Sequence, residues 1–129
     1  MDKLRVLVAD DYDLMRRAIV RLLEGPFEVV GVVTNGQELV DAALDLKPDV
    51  IVTDVAMPVL NGREAMRTLH RSLATPFVLV SAMTRDVQSW IDEGAQCVVS
   101  KIDMHLDLVA AVNSAAHGEI YLSRSALCP

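Results

Sequence analysis

The sequence predicts an α/β fold: one parallel sheet with helices on both faces. Three observations predict it. Short Val-rich runs recur at even intervals, and several are apolar on both sides, as a strand buried on both faces of a parallel sheet must be. The stretches between them carry apolar residues at the spacing of one helix face. Gly and Pro fall at the boundaries between the two patterns.

In chain order, the first strand covers residues 4–9 and is followed by a helix whose apolar face is Met15, Ala18, Ile19, Leu22 and Leu23. Gly25-Pro26 ends that helix, and residues 27–33 form the second strand. The second helix uses Leu39, Val40, Ala43 and Leu44 and stops at Lys47-Pro48, before a third strand at 49–53. Ala65, Met66, Leu69 and Leu73 mark the third helix, which Thr75-Pro76 separates from the fourth strand at 77–81. A fourth helix carries Val87, Trp90 and Ile91 and ends at Gly94, ahead of the fifth strand at 97–100. Trp90 is read as core, with exposure toward a partner as the alternative. The fifth helix uses Leu108, Ala111, Val112 and Ala115, with Gly118 as its C-terminal cap. Right-handed crossovers then put helices on both faces of the sheet. Five such units within 129 residues leave no room for a second domain.

Composition narrows the function. Twelve Lys and Arg against 18 Asp and Glu give a net charge of −6. That balance argues against nucleic acid or an anionic membrane as the direct partner of this chain. Aromatic residues at 4% disfavour a base-stacking platform. Cys97 and Cys128 fit neither a disulfide framework nor a metal-ligand spacing, and Cys97 reads as a small core residue. Asp2, Lys3 and Arg5 lead straight into a short apolar run, unlike a signal peptide, and no run approaches the ~20 residues that span a bilayer. The expectation is a soluble protein of a reducing compartment. His70, His105 and His117 show no metal-type pairing and read as surface residues.

In open α/β sheets the site lies outside the carboxyl ends of the strands. The first strand ends in Asp10-Asp11, the third in Asp54, the fourth in Ser81 and the fifth in Ser100-Lys101. The second ends in Thr34-Asn35-Gly36, a turn and helix start. Taken singly, Asp10 or Asp11 is an ordinary helix N-cap, Asp54 a turn residue and Lys101 a surface lysine. Together they bring three carboxylates to one edge, which is unfavourable unless something positive is held between them. A divalent cation with oxygen ligands, Mg²⁺, resolves this, since no His or Cys lies nearby to favour zinc. Phosphoryl chemistry fits the remaining parts. Asp54 is the best nucleophile candidate, Lys101 neutralises phosphoryl oxygens, and Ser81 donates a hydrogen bond to one of them.

These residues resemble the receiver domain of bacterial two-component response regulators. The resemblance rests on Val8-Ala9-Asp10-Asp11, Asp54-Val55-Ala56-Met57-Pro58 with Asn61-Gly62, Val80-Ser81-Ala82, Gly94-Ala95 and Lys101. The ending Gly118-Glu119-Ile120-Tyr121-Leu122-Ser123 is similar to the receiver end of NarL/LuxR-type regulators. It implies a flavodoxin-like, doubly wound sheet of five parallel strands in the order 2-1-3-4-5 with five helices. Residues 1–122 would be the receiver, and 123–129 the start of a linker to a helix-turn-helix domain absent from this chain. Asp54 would be the phosphoacceptor, charged by a sensor histidine kinase. Asp11, Asp54 and the Ala56 backbone carbonyl would hold Mg²⁺, with Asp10 assisting through water. Ser81 and Lys101 would contact the phosphoryl group. The protein would be cytoplasmic, no enzyme beyond its own phosphorylation and dephosphorylation, and a homodimer once phosphorylated. DNA would be reached only through the further domain, and the output would be transcription.

Four positions depart from the family pattern. Val98 stands where an aromatic often changes rotamer on activation, and valine cannot make that swing. Ile102 replaces the proline that often follows the lysine, so the bond before it is expected trans. Ala56 and Met83, each two residues beyond a site residue, cannot hydrogen-bond an attacking water, which predicts slow self-dephosphorylation. Three other readings exist. A haloacid-dehalogenase-type phosphatase needs a second Asp where Ala56 stands. A nucleotide or flavin module needs a first turn less acidic than Asp11-Tyr12-Asp13. A phosphorylation-independent receiver used for interaction is compatible with Val98.

Overall fold

The computed structural model describes residues 3–83 and 86–127. The expectations placed on Asp2, Cys128 and Pro129 lie outside those residues. Six parallel strands form one sheet: β1 (Arg5–Ala9), β2 (Glu28–Val33), β3 (Val50–Asp54), β4 (Phe77–Ser81), β5 (Cys97–Ser100) and β6 (Tyr121–Leu122). Their order is β2-β1-β3-β4-β5-β6, the expected 2-1-3-4-5 sheet with one short strand added at its edge. The helices are α1 (Asp13–Leu23), α2 (Gly36–Leu46), α3 (Gly62–Leu69), α4 (Val87–Asp92), α5 (Met104–Ala116) and α6 (Arg124–Leu127).

Alternation along each strand divides the core in two. Leu7, Ile51, Leu79 and Val98 face one way, onto Leu39, Ala43, Met66, Leu69 and Trp90 of α2, α3 and α4. Val6, Val8, Val52, Val80 and Val99 face the other, onto Ile19, Leu23, Leu108 and Val112 of α1 and α5. Both sides of the central strands are therefore dry, which explains their continuous apolar runs. The helices start where the sequence supplies caps. Asn35 accepts the Glu38 amide at 2.9 Å, and Asn61 with Glu64 forms a capping box that begins α3.

Several side chains differ from the periodic reading. The buried stripe of α2 runs through Leu39, Val40 and Ala43, which leaves Leu44 at its flank and 45% exposed. α3 ends at Leu69, so Leu73 packs on the core from the following turn. His70 is half-buried, not superficial: its Nε2 lies 3.2 Å from the Thr75 carbonyl and its ring meets Phe77 edge-on. β6 is two residues long, too short for any periodicity to announce it, yet Tyr121 and Leu122 pair with Cys97 and Val98. Beyond it, where a linker was expected to begin, Ser123 and Ala126 are buried and α6 packs on β5. Among the described residues no peptide bond is cis, that before Ile102 included, and no helix is long and apolar enough to cross a membrane.

Candidate functional site: an acidic cluster at the strand ends

In a sheet of this order successive strands are added first to one side of β1 and then, from β3 on, to the other, and the carboxyl ends of β1 and β3 border the resulting crevice. Asp10 and Asp11 follow β1, and Asp54 closes β3. One oxygen from each lies within 4.8 Å of the others. Asp10 is fully buried and Asp54 is 5% exposed, while Asp11 faces solvent. None of them acts as the N-cap of α1: that position is Tyr12, whose side chain makes no capping bond. The helix-start explanation for these acids therefore fails.

Lys101 arrives from the end of β5. Its Nζ is 3.1 Å from Asp54 Oδ2 and 3.9 Å from Asp10 Oδ2. One ammonium thus faces two largely buried carboxylates, with a third close by. Asp10 Oδ1 accepts the Tyr12 amide at 2.8 Å, but its buried Oδ2 accepts no hydrogen bond. Burial is the largest influence on Asp10 and pushes its pKa above the usual carboxylate range, and the Asp54 charge pushes the same way. A buried acceptor without a donor, inside a triad of oxygens, fits a hard divalent cation.

The loop after β3 is shaped to keep Asp54 in place. The Ala56 amide donates to Asp54 Oδ1 at 3.2 Å, and the Gly62 amide to the Val55 carbonyl at 2.9 Å. A Cβ on Gly62 would sit 2.3 Å from the Asp54 carbonyl oxygen, so only glycine lets α3 start this close to the phosphoacceptor candidate. Ser81 borders the same cavity of about 480 Å³ as Asp54 and Lys101. Its hydroxyl, however, donates to the Met83 carbonyl at 2.6 Å and accepts the Met83 amide at 3.1 Å. It is near the acids but engaged elsewhere.

Residues 6–113 match the family of response regulator receiver domains. The chain belongs to that family. Among curated relatives, this receiver domain is 37% identical over 129 residues to a nitrate/nitrite response regulator protein homolog of Haemophilus influenzae, covering 96% of the chain and 62% of the relative. It is also 37% identical over 102 residues to a protein-glutamate methylesterase/protein-glutamine glutaminase of Vibrio vulnificus, covering 78% of the chain and 25% of that protein. Among solved structures it superposes on the signal receiver domain of the response regulator NarL from Mycobacterium tuberculosis with a TM-score of 0.86 at 29% identity, over 92% of this chain and all of that one. The receiver thus spans under two thirds of the length of these curated relatives.

The structure brings Asp10, Asp11, Asp54, Ala56 and Lys101 together, with Ser81 at the rim. Trp90 is buried at 5% exposure and lines the same cavity, while the Arg63 guanidinium lies 6.0 Å over its ring. Arg63 and Arg67 both bind Glu93, whose carboxyl is held below the usual range chiefly by the hydrogen bond from Arg63. This link between α3 and α4 joins residues 26 to 30 positions apart and leaves no local sequence signal. Val98 is fully buried between Leu79 and Leu122, with no aromatic in the place it fills. Cys97 is a core thiol, and burial pushes its pKa up to about 11.

An acid whose pKa is raised in the fold contributes stability below its unfolded value, and that contribution is lost as pH rises through the folded value. At neutral pH without divalent cations, Asp10→Asn should therefore raise the urea midpoint of unfolding. The gap should close as acid protonates the wild-type carboxyl. An unchanged or lower midpoint at neutral pH contradicts this electrostatic account.

Proposed function

We propose that this receiver accepts a phosphoryl group on Asp54 from the phosphohistidine of a sensor histidine kinase and relays that event as a change of shape. The observation that carries the reading is the Asp10–Asp11–Asp54 triad with the Lys101 ammonium set against it. An Asp54 carboxylate oxygen attacks phosphorus. The P–N bond breaks, its electron pair passes to the imidazole nitrogen, and the new P–O bond is a mixed anhydride. Asp10, Asp11, Asp54 and the Ala56 carbonyl are the groups that would hold Mg²⁺. The ion, when bound, supplies positive charge to the phosphoryl oxygens. Lys101 exchanges one carboxylate oxygen of Asp54 for a phosphoryl oxygen, keeping its charge compensated throughout. Ser81 can donate to the phosphoryl group only by giving up its bond to the Met83 carbonyl, because a hydroxyl has one proton. That exchange ties phosphorylation to the main chain after β4.

For the whole protein, the reading extends to transcription through a C-terminal helix-turn-helix domain, with dimerisation on phosphorylation and a cytoplasmic setting. Its support is the nitrate/nitrite regulator relative, 37% identical over 96% of this chain, where a methylesterase relative from Bacillus licheniformis covering the same share is 33% identical. Residues 1–122 would then form the receiver and 123–129 the beginning of the connection.

Incubation with Mg²⁺ and acetyl phosphate, read by intact mass, should add one phosphoryl group to wild type and none to Asp54→Asn. Equal labelling of the two removes Asp54 from the role. Ala56 is exposed and Met83 is 61% exposed, and neither side chain can orient water. The acyl phosphate should therefore decay slowly, and Ala56→Asn should speed its loss several-fold. An unchanged decay rate in that variant contradicts the assignment.

A further inference from the structure

Residues 123–125 lie beyond the family match and outside the acidic cluster, yet they are hydrogen-bonded on both sides of Lys101. The Ser100 amide, immediately before it, donates to Ser123 Oγ at 2.9 Å. Ser123 is 1% exposed, a buried hydroxyl on a segment to which the chemistry above gives no task. Its own amide donates to the Val98 carbonyl at 3.0 Å, which docks it along the end of β5. After Lys101, a 3₁₀ turn over Lys101–Asp103 ends in a carboxylate that accepts the Ser125 amide at 2.8 Å and the Ser125 hydroxyl at 3.2 Å. The Ser125 amide, with the Ser123 hydroxyl adding to it, holds the Asp103 carboxyl below its ordinary pKa, so the turn is anchored by a charged acceptor at neutral pH.

We propose that Ser123 is a positioning residue for phosphoryl transfer: with Asp103 it clamps the backbone on either side of Lys101 and so aims the ammonium at Asp54. This rests on the phosphoacceptor reading above. The need for a clamp is physical. β5 is only four residues long and is the last long strand of the sheet, and Lys101 reaches Asp54 across the end of β4. A lysine stem has four rotatable carbons, so the direction of its backbone decides where the charge goes. Displacement of about 1 Å at a reacting group costs up to ~100-fold in rate. By linkage, a phosphoryl group that draws Lys101 to a new position must also be felt at residues 123–125, which lie on the path by which the chain leaves the sheet.

The test compares wild type, Ser123→Ala, Lys101→Ala and the double variant at saturating acetyl phosphate and Mg²⁺, with Mg²⁺ affinity measured separately. Ser123→Ala should slow phosphorylation by about five- to tenfold with no loss of Mg²⁺ affinity, because the carboxylates that would hold the ion belong to the ends of β1 and β3 and a displaced ammonium competes with the ion less. In the Lys101→Ala background the same change should have no further effect. Three results overturn the proposal: a wild-type rate in Ser123→Ala, the same slowing with Lys101 absent, or parallel loss of Mg²⁺ binding, which marks a purely structural role. Should Ser123→Ala not fold, Asp103→Ala loosens the clamp from the other side and is held to the same three criteria. Absence of labelling in wild type has a different meaning: it sinks the phosphoacceptor reading itself, and the proposal with it.

Discussion

Everything at the functional end of this molecule follows from negative charge forced into a small space. Parallel strands that are apolar on both faces leave only their ends for polar residues, and β1 and β3, adjacent in the sheet, end in acids. Asp10 is fully buried, so its charge is unfavourable by desolvation before any neighbour is counted. Lys101 is the partner cation in contact with Asp10 and Asp54 among the described residues. One ammonium among three carboxylates leaves a deficit that a hard cation, and then a phosphoryl group, can use. A site poised this way is unstable by itself and responsive to what it binds, which suits a switch.

The response must travel without the aromatic rotamer common in the family. Val98 is fully buried between Leu79 and Leu122, and a valine side chain has no ring to swing. Two other connections leave the site. Ser81 is bonded to the main chain of Met83 and must change partners to meet a phosphoryl oxygen. Lys101 stands between Ser100 and Asp103, both tied to residues 123–125. Under the proposed phosphorylation, either connection would convert a change at Asp54 into backbone movement, with no large side-chain swing.

Much of this was legible in the sequence, for reasons that can be named. The strands were readable because central strands of a parallel sheet are dry on both faces, so Val6 to Ala9 and Val50 to Val52 have no polar interruption. The acids were readable because strand ends are where such a fold places its site. Polar side chains satisfied by distant backbone were not. Ser123 looks like a linker serine until the sheet brings Ser100 to it, and Tyr121–Leu122 is too short to show alternation. The Arg63–Glu93 link escapes notice for the same reason, since its partners meet only when α3 and α4 pack. The half-burial of His70 leaves no sequence signal either, since its packing on Phe77 depends on the turn that follows α3.

The most direct measurement of the central claim is the urea midpoint of the wild-type chain at neutral pH, with and without Mg²⁺. If the strand-end carboxylates form one site strained by its own charge, Mg²⁺ raises the midpoint in proportion to the logarithm of its concentration above the dissociation constant. A midpoint indifferent to Mg²⁺ across the millimolar range would contradict the account, because the acids would then be content without a cation.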